Sequence, residues 1–329
     1  MSSDILELRG VSKSFVRSRN LLGRPRESVK AVRDVSLSVR AGETLGIVGE
    51  SGSGKSTLGR VILGLEEPDA GTIHFCGDDM TKLSRSKMRQ RRRDLQMIFQ
   101  DPYASLDPTK SVETSISEPM RIFDRPGKQQ CAAHVRELLD LVGLRPEYAN
   151  RYPAEMSGGQ RQRVAIARAL ALDPKLIVAD EAVSALDVST QAEVINLLVR
   201  LNRDLGLTSM FISHNLAVVR HISDRIAVMY LGRIVEVGTA EEVYESPVHP
   251  YTQALLAAIP IPDPAIQRSR KRLVLEGDMP DPAHPPRGCA FVSRCPVAMA
   301  ICQDVEPVLE SRGGNTLAAC HLERNDPMS

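Results

Sequence analysis

The stretch Gly49-Glu50-Ser51-Gly52-Ser53-Gly54-Lys55-Ser56-Thr57 has the residue types and spacing to hold a polyphosphate, and it fits the pattern G-x-x-x-x-G-K-[ST]. Its glycines let the backbone curl so that several N–H groups face one phosphate chain, and a following helix start adds partial positive charge. Lys55 is placed to reach the β- and γ-phosphates, and the Ser56 hydroxyl to hold Mg²⁺. A second set is carboxylic: Asp180 and Glu181 close the apolar run Leu176-Ile177-Val178-Ala179. Asp180 suits the far side of the Mg²⁺ shell, and Glu181 suits the polarisation of a water beside the γ-phosphate. Acidic pairs after strands also serve as helix caps; company with the phosphate loop favours the chemical reading. A third set is thiol. Cys289, Cys295, Cys302 and Cys320 are separated by five, six and seventeen residues, unlike the paired C-x2-C of common zinc ribbons. Four thiolates suit a [4Fe–4S] cluster, with zinc as the runner-up and four unliganded thiols left open.

These residues need elements to position them. Thr44-Leu45-Gly46-Ile47-Val48 reads as a buried strand before the phosphate loop, and Leu58 to Leu65 as the first turns of a helix after it. Leu176 to Ala179 and Met210 to Ser213 read as strands with helical pattern between them at Thr190 to Leu205, which implies a parallel sheet with crossover helices. Ile226 to Tyr230 and Arg233 to Val237 follow, joined by a Gly232 turn. Ile5 to Arg9 and Val35 to Val39 alternate as strands do; the basic stretch 17–30 between them reads as a solvated hairpin loop, with contact to lipid headgroups or a membrane partner the minority view. The arginine-rich run 85–93 reads as the charged face of a helix before a strand. Val135, Leu138, Leu139 and Val142 recur at helical spacing, which suggests a small helical insert. Ser157 is a plausible N-cap for the helical run Gln162 to Ala171, and that geometry also binds anions. Pro247, Pro250, Pro260, Pro262 and Pro264 mark a linker to a proline-rich tail.

Composition narrows the function. The 329 residues suffice for two domains, and the formal charge of +1 implies no polyanionic partner. With no tryptophan and few aromatics, a surface that stacks nucleic-acid bases is disfavoured. No apolar run of about 18 residues is present, and the N-terminus lacks the pattern of a signal peptide, so a cytosolic chain is expected, with thiols reduced unless they bind metal. Cys76 and Cys131 read as ordinary apolar positions.

Further motifs fall into place in order. Ser157-Gly158-Gly159-Gln160 resembles the signature motif of ATP-binding cassette (ABC) ATPases. Gln100 resembles their Q-loop glutamine, Ser184-Ala185-Leu186-Asp187 their D-loop, and His214 their switch histidine. Phe15 stands where the family stacks an aromatic on adenine; by itself it reads as core. The family usually has proline after its second-strand glutamate, where this chain has Ala182. Ser246 to Leu256, Ser105-Leu106-Asp107-Pro108 and the run Leu58 to Leu65 resemble the oligopeptide/dipeptide importer ATPases, specifically the second of their two unlike ATPase subunits, and some of that subfamily carry an iron–sulfur cluster on the tail cysteines.

The resemblance implies an α/β fold of the P-loop NTPase (RecA-like) class: a parallel-sheet core, an antiparallel β subdomain, a helical insert at about 101–155, and a small C-terminal extension. It places the nucleotide-binding domain at 1–245 and the extension at 246–329. It implies ATP bound by Phe15, Gly49 and residues 51–57 (Ser51, Gly52, Ser53, Gly54, Lys55, Ser56, Thr57), with Mg²⁺ on Ser56, Gln100 and Asp180. It gives catalytic roles to Glu181, His214 and Gln100, lends Ser157, Gly158, Gly159 and Gln160 to a partner's ATP, and places Asp187 in the D-loop. The implied partners are a homologous ATPase subunit in a heterodimer, two permease subunits and an extracytoplasmic solute-binding protein, with the chain peripheral on the cytoplasmic face of the inner membrane. The other readings are a soluble ABC ATPase acting on nucleic-acid or ribosome complexes, which usually carries two cassettes or a coiled-coil insert; an ATP-holding module without turnover, which intact Glu181 and His214 oppose; and an exporter, many of which fuse membrane spans to the cassette.

Overall fold

The computed structural model describes residues 4–19, 25–124, 127–259 and 277–322. It divides into two compact units, one built from Arg40–Thr44 and Lys82–Ile212, the other from Asp4–Val39, Leu45–Thr81 and Ser213–Ser329.

The first unit holds three parallel strands in the order β6 (Leu95–Ile98), β7 (Leu176–Asp180), β8 (Thr208–Ser213). Every residue of β7 and β8 is buried, as unbroken apolar runs in a covered parallel sheet must be. Helix α7 (Val188–Leu205) makes the crossover between them and ends on Gly206. Between β6 and β7 the chain is helical: α3 (Pro102–Ser105), α4 (Val112–Phe123), α5 (Lys128–Leu141) and α6 (Gly158–Leu170). The periodic residues Val135, Leu138, Leu139 and Val142 are all buried. The basic run forms α2 (Arg85–Asp94), which buries no side chain; Ser84 caps it by accepting from the Lys87 N–H.

The second unit carries two sheets. One has the order β2-β1-β4-β5, from β1 (Asp4–Arg19), β2 (Pro25–Arg40), β4 (Ala70–Phe75) and β5 (Asp78–Asp79). Its antiparallel register sets Leu6 opposite Phe75 and Leu8 opposite Ile73, all buried. In the other, β3 (Thr44–Val48) runs parallel to β9 (Arg225–Tyr230), and β10 (Arg233–Thr239) lies antiparallel to β9. The short tail strands β12 (Leu317–Ala318) and β11 (Glu310–Ser311) extend that edge.

Three expectations need correction. The hairpin loop expected over 17–30 is mostly strand: β1 runs to Arg19 and β2 restarts at Pro25, and residues 20–24 lie outside the described residues. Arg17 is tied to Asp281 at 3.0 Å and to Glu27 at 3.7 Å. Pro250 does not mark a linker. It opens the helix Pro250–Ala257 at the first-turn position where proline's missing N–H costs nothing, while Pro260, Pro262 and Pro264 lie outside the described residues. Cys76 is not an ordinary apolar position: half-buried, it takes φ +50° in the turn between β4 and β5, whereas Cys131 is buried. Among the described residues no helix is long and apolar enough to cross a membrane.

Candidate active site

The phosphate loop belongs to the second unit. It follows β3 directly, and α1 (Lys55–Ile62) starts after it with Gly54 as N-cap. No side-chain hydrogen bond caps that helix, and its N-terminal end carries the partial positive charge that favours an anion. Gly54 has φ +104°, and a Cβ there would lie 2.0 Å from the Ala31 carbonyl oxygen, so only glycine fits the turn. Lys55 is buried, and its Nζ donates to the carbonyls of Gly49 and Glu50, each at 2.8 Å, and to Ser53 Oγ at 3.4 Å. The ammonium thus lies inside the loop's own curl. Ser56 and Thr57 are half-buried on the first turn of α1. Gly232 N–H donates to the Ser53 carbonyl at 2.9 Å, which fixes the loop from the β9–β10 turn. The same unit holds Phe15, 38% exposed on β1 with the Lys13 ammonium 5.3 Å from its ring centroid, and His214, exposed just beyond β8.

The carboxylate set belongs to the first unit. Asp180 is buried at the end of β7. Glu181 follows with φ +45°, a left-handed conformation uncommon for a residue with a side chain, and its N–H donates to the Ile212 carbonyl at 2.9 Å. Gln100 Nε2 donates to Glu181 Oε2 at 2.9 Å and lies 3.5 Å from Ser184 Oγ. With Nε2 so used, the amide's acceptor oxygen Oε1 is the end suited to a hard cation. Ala182, where proline is usual in the resemblance, is buried beneath this turn. Asp187 caps α7: Oδ1 accepts from Ser189 Oγ at 2.6 Å and from the Thr190 N–H at 3.0 Å, and these bonds draw its carboxyl down to about 2. Ser157 caps α6 in a capping box. Its Oγ accepts from the Gln160 N–H at 3.3 Å, and Gln160 Oε1 accepts from the Ser157 N–H at 3.0 Å. Gly158 and Gly159 form the first turn; a Cβ on Gly159 would meet Thr190 Cγ2 at 2.2 Å. Gln160 Nε2 also donates to Tyr148 Oη at 3.1 Å, a support no sequence motif flagged.

The four tail cysteines converge, although three separate segments carry them. Cys289 N–H donates to the Cys302 carbonyl at 2.8 Å. That approach needs Gly288, where a Cβ would lie 2.4 Å from the same carbonyl oxygen. Burial pushes the Cys289 thiol up to about 11, and the charges of Cys302, Cys320 and Cys295 add to the rise. Cys295 and Cys320 shift upward for the same causes. The tail is anchored by Glu236, buried on β10, which accepts from the Val248 and His249 N–H groups at 2.8 and 2.9 Å. Burial raises the carboxyl of Glu236 and lowers the imidazole of His249 to about 3. Sequence reading missed this anchor; an acid inside the otherwise apolar β10 was the available signal.

Comparison with known proteins bears on this arrangement. The family described as "ABC transporter" matches residues 32–184, and "Oligopeptide/dipeptide transporter, C-terminal region" matches residues 235–302. The oligopeptide transport ATP-binding protein AppF of Bacillus subtilis (strain 168) is 51% identical over 319 residues, 97% of each chain. The oligopeptide transport ATP-binding protein OppF of Salmonella typhimurium is 52% identical over 287 residues, 87% of this chain and 86% of the relative. Among solved structures, the dimeric post-hydrolysis state of the ATP-binding cassette MJ0796 bound to ADP and Pi aligns with TM-score 0.64 and 30% identity, over 71% of this chain and 98% of that one.

Proposed function

The chain belongs to the ABC transporter ATPases, in the group of oligopeptide transport ATP-binding proteins, and from that premise we propose that it hydrolyses ATP to energise the import of di- and oligopeptides. The carrying observation is that similarity spans both the cassette and the C-terminal region, at 51% identity over 97% of the chain. The extension match favours an importer over a soluble ATPase acting on nucleic acid or ribosomes. In this proposal the cassette ends near residue 245, the helical insert covers about 101–155, and the extension begins at 246.

The residues divide the work as follows. The N–H groups at the start of α1 and the Lys55 ammonium bind the phosphates, and Phe15 stacks on adenine. Ser56, Gln100 and Asp180 offer the hard oxygen donors that Mg²⁺ takes; that ion, when bound, neutralises phosphate charge. Glu181, held by the Gln100 amide, takes a proton from the attacking water as its oxygen bonds to the γ-phosphorus. The bond to the bridging oxygen breaks, its electron pair leaves with ADP, and inorganic phosphate is released. His214 steadies the γ-phosphate. Ser157, Gly158, Gly159 and Gln160 complete the ATP site of a homologous ATPase subunit, and Asp187 lines the same seam. Two permease subunits and an extracytoplasmic solute-binding protein complete the importer, with this chain peripheral on the cytoplasmic face of the inner membrane. The test is ATP-dependent accumulation of labelled peptides by vesicles that carry the assembled complex.

A [4Fe–4S] cluster on Cys289, Cys295, Cys302 and Cys320 is the finer part of the proposal. Crowded, half-buried thiols disfavour free thiolates and suit a cationic centre that neutralises them. Tetrahedral zinc at about 2.3 Å from each sulfur needs sulfur pairs about 3.8 Å apart. Among the described residues no three of the cysteine sulfurs all lie within 4.8 Å of one another, so zinc would have to draw them closer together. Chain purified without air is expected to be brown, absorbing near about 400 nm, with iron and sulfide present. A colourless sample with one zinc per chain overturns this assignment.

A further inference from the structure

We propose that Arg294 and Tyr251, both in the C-terminal extension, are positioning residues for ATP binding that act through Glu50 of the phosphate loop. Glu50 occupies a variable position of the loop pattern, so the pattern itself gives it no task. Within the loop its carbonyl accepts from the Ser53 N–H at 3.2 Å, and the structure gives it three side-chain partners. Its N–H donates to Tyr251 Oη at 2.9 Å. Its carboxylate accepts from Arg294 Nη1 with both oxygens, at 3.2 and 3.0 Å. Its carbonyl accepts from Lys55 Nζ at 2.8 Å. One residue therefore joins the extension to the phosphate-binding lysine.

The support behind these contacts is buried and aromatic. The Arg294 side chain is 8% exposed and that of Glu50 29%, so the pair is shielded from the screening that weakens surface ion pairs. Tyr251 is fully buried. Its ring lies 4.6 Å from that of Tyr230 and 5.5 Å from that of Phe291, and Phe291 meets Tyr230 edge-on at 5.3 Å. Tyr230 ends β9, two residues before Gly232, whose N–H donates to Ser53 of the loop. Phe291 and Arg294 belong to the segment between Cys289 and Cys295. The extension thus holds the loop at its outer edge while the helix start holds it at the other.

A loop held in its binding form binds ATP without first being ordered. If the hold is lost, the competent fraction falls and the apparent Kd rises in proportion, while the chemistry of the bound state is unchanged. The inference rests on the phosphate-loop reading of residues 49–57, and the experiment separates the two. Mg-ATP binding to the full-length chain, and KM and kcat of the assembled complex, are measured for Y251F, R294A, R294K, E50A, the E50A/R294A pair and K55A. Y251F removes only the acceptor of the Glu50 N–H and keeps the ring packing. Y251F and R294A are expected to raise Kd and KM about tenfold, with kcat at saturating ATP within about twofold of wild type. R294K, which keeps a charged donor, is expected to recover most of the loss. The E50A/R294A pair is expected to be no worse than either single change, because both break one contact. A purely structural role would lower thermal stability without this split between KM and kcat. If K55A abolishes binding while Y251F and folded R294A bind ATP as wild type does, the inference fails alone; if K55A binds normally, the phosphate-loop reading fails with it. Should R294A not fold, Y251F decides.

Discussion

Glu181→Gln is expected to leave ATP binding intact and to slow phosphate release by roughly 10²- to 10⁴-fold, the usual worth of a positioned general base. The change is isosteric. Gln100 Nε2 donates to Glu181 Oε2, and an amide oxygen in the same place still accepts that bond, more weakly than a carboxylate does, so the Gln100–residue 181 contact persists. What disappears is the group able to take a proton from water. The variant complex should therefore hold ATP after a desalting step while its rate of phosphate production collapses. Wild-type turnover by this variant would remove Glu181 from its role and return the base to another group.

Lys55→Ala is expected to weaken Mg-ATP binding by roughly 10²- to 10⁴-fold. Two charge-assisted hydrogen bonds to the β- and γ-phosphates contribute about 3–6 kcal/mol together. The ammonium is already desolvated, because it is buried against the Gly49 and Glu50 carbonyls before any nucleotide arrives. Transfer to phosphate thus exchanges neutral acceptors for anionic ones, a gain in strength rather than a new burial cost. Equilibrium binding of Mg-ATP checks this, with thermal unfolding as the control for the lost internal contacts. Binding within a few-fold of wild type would contradict it.

Much of this site was legible in the chain because its chemistry is local. The phosphate loop needs glycines, lysine and serine within nine consecutive residues, and β7 and β8 announce themselves as unbroken apolar runs. Ser157 could be read as a cap because it stands directly before a helical run. The unread features lack that locality. Glu181 has φ +45° because the turn after β7 imposes it, not because glutamate favours it. Glu50 meets Tyr251 and Arg294 across 201 and 244 residues, a distance no periodicity bridges. Pro250 looked like a breaker because proline ends a helix when it lies inside one; the buried anchor at Glu236 sets it at a helix start instead. The extra length of β1 and β2 was hidden by arginines, one of which, Arg17, is partnered by the Asp281 and Glu27 carboxylates in the folded chain.

The most direct measurement is phosphate release and nucleotide retention by this chain reconstituted with the partners proposed above: a homologous ATPase, two permeases and a loaded solute-binding protein. The predicted result is Mg-ATP held by this subunit and hydrolysed in step with peptide accumulation. A complete complex that neither holds the nucleotide on this subunit nor yields phosphate would contradict the account.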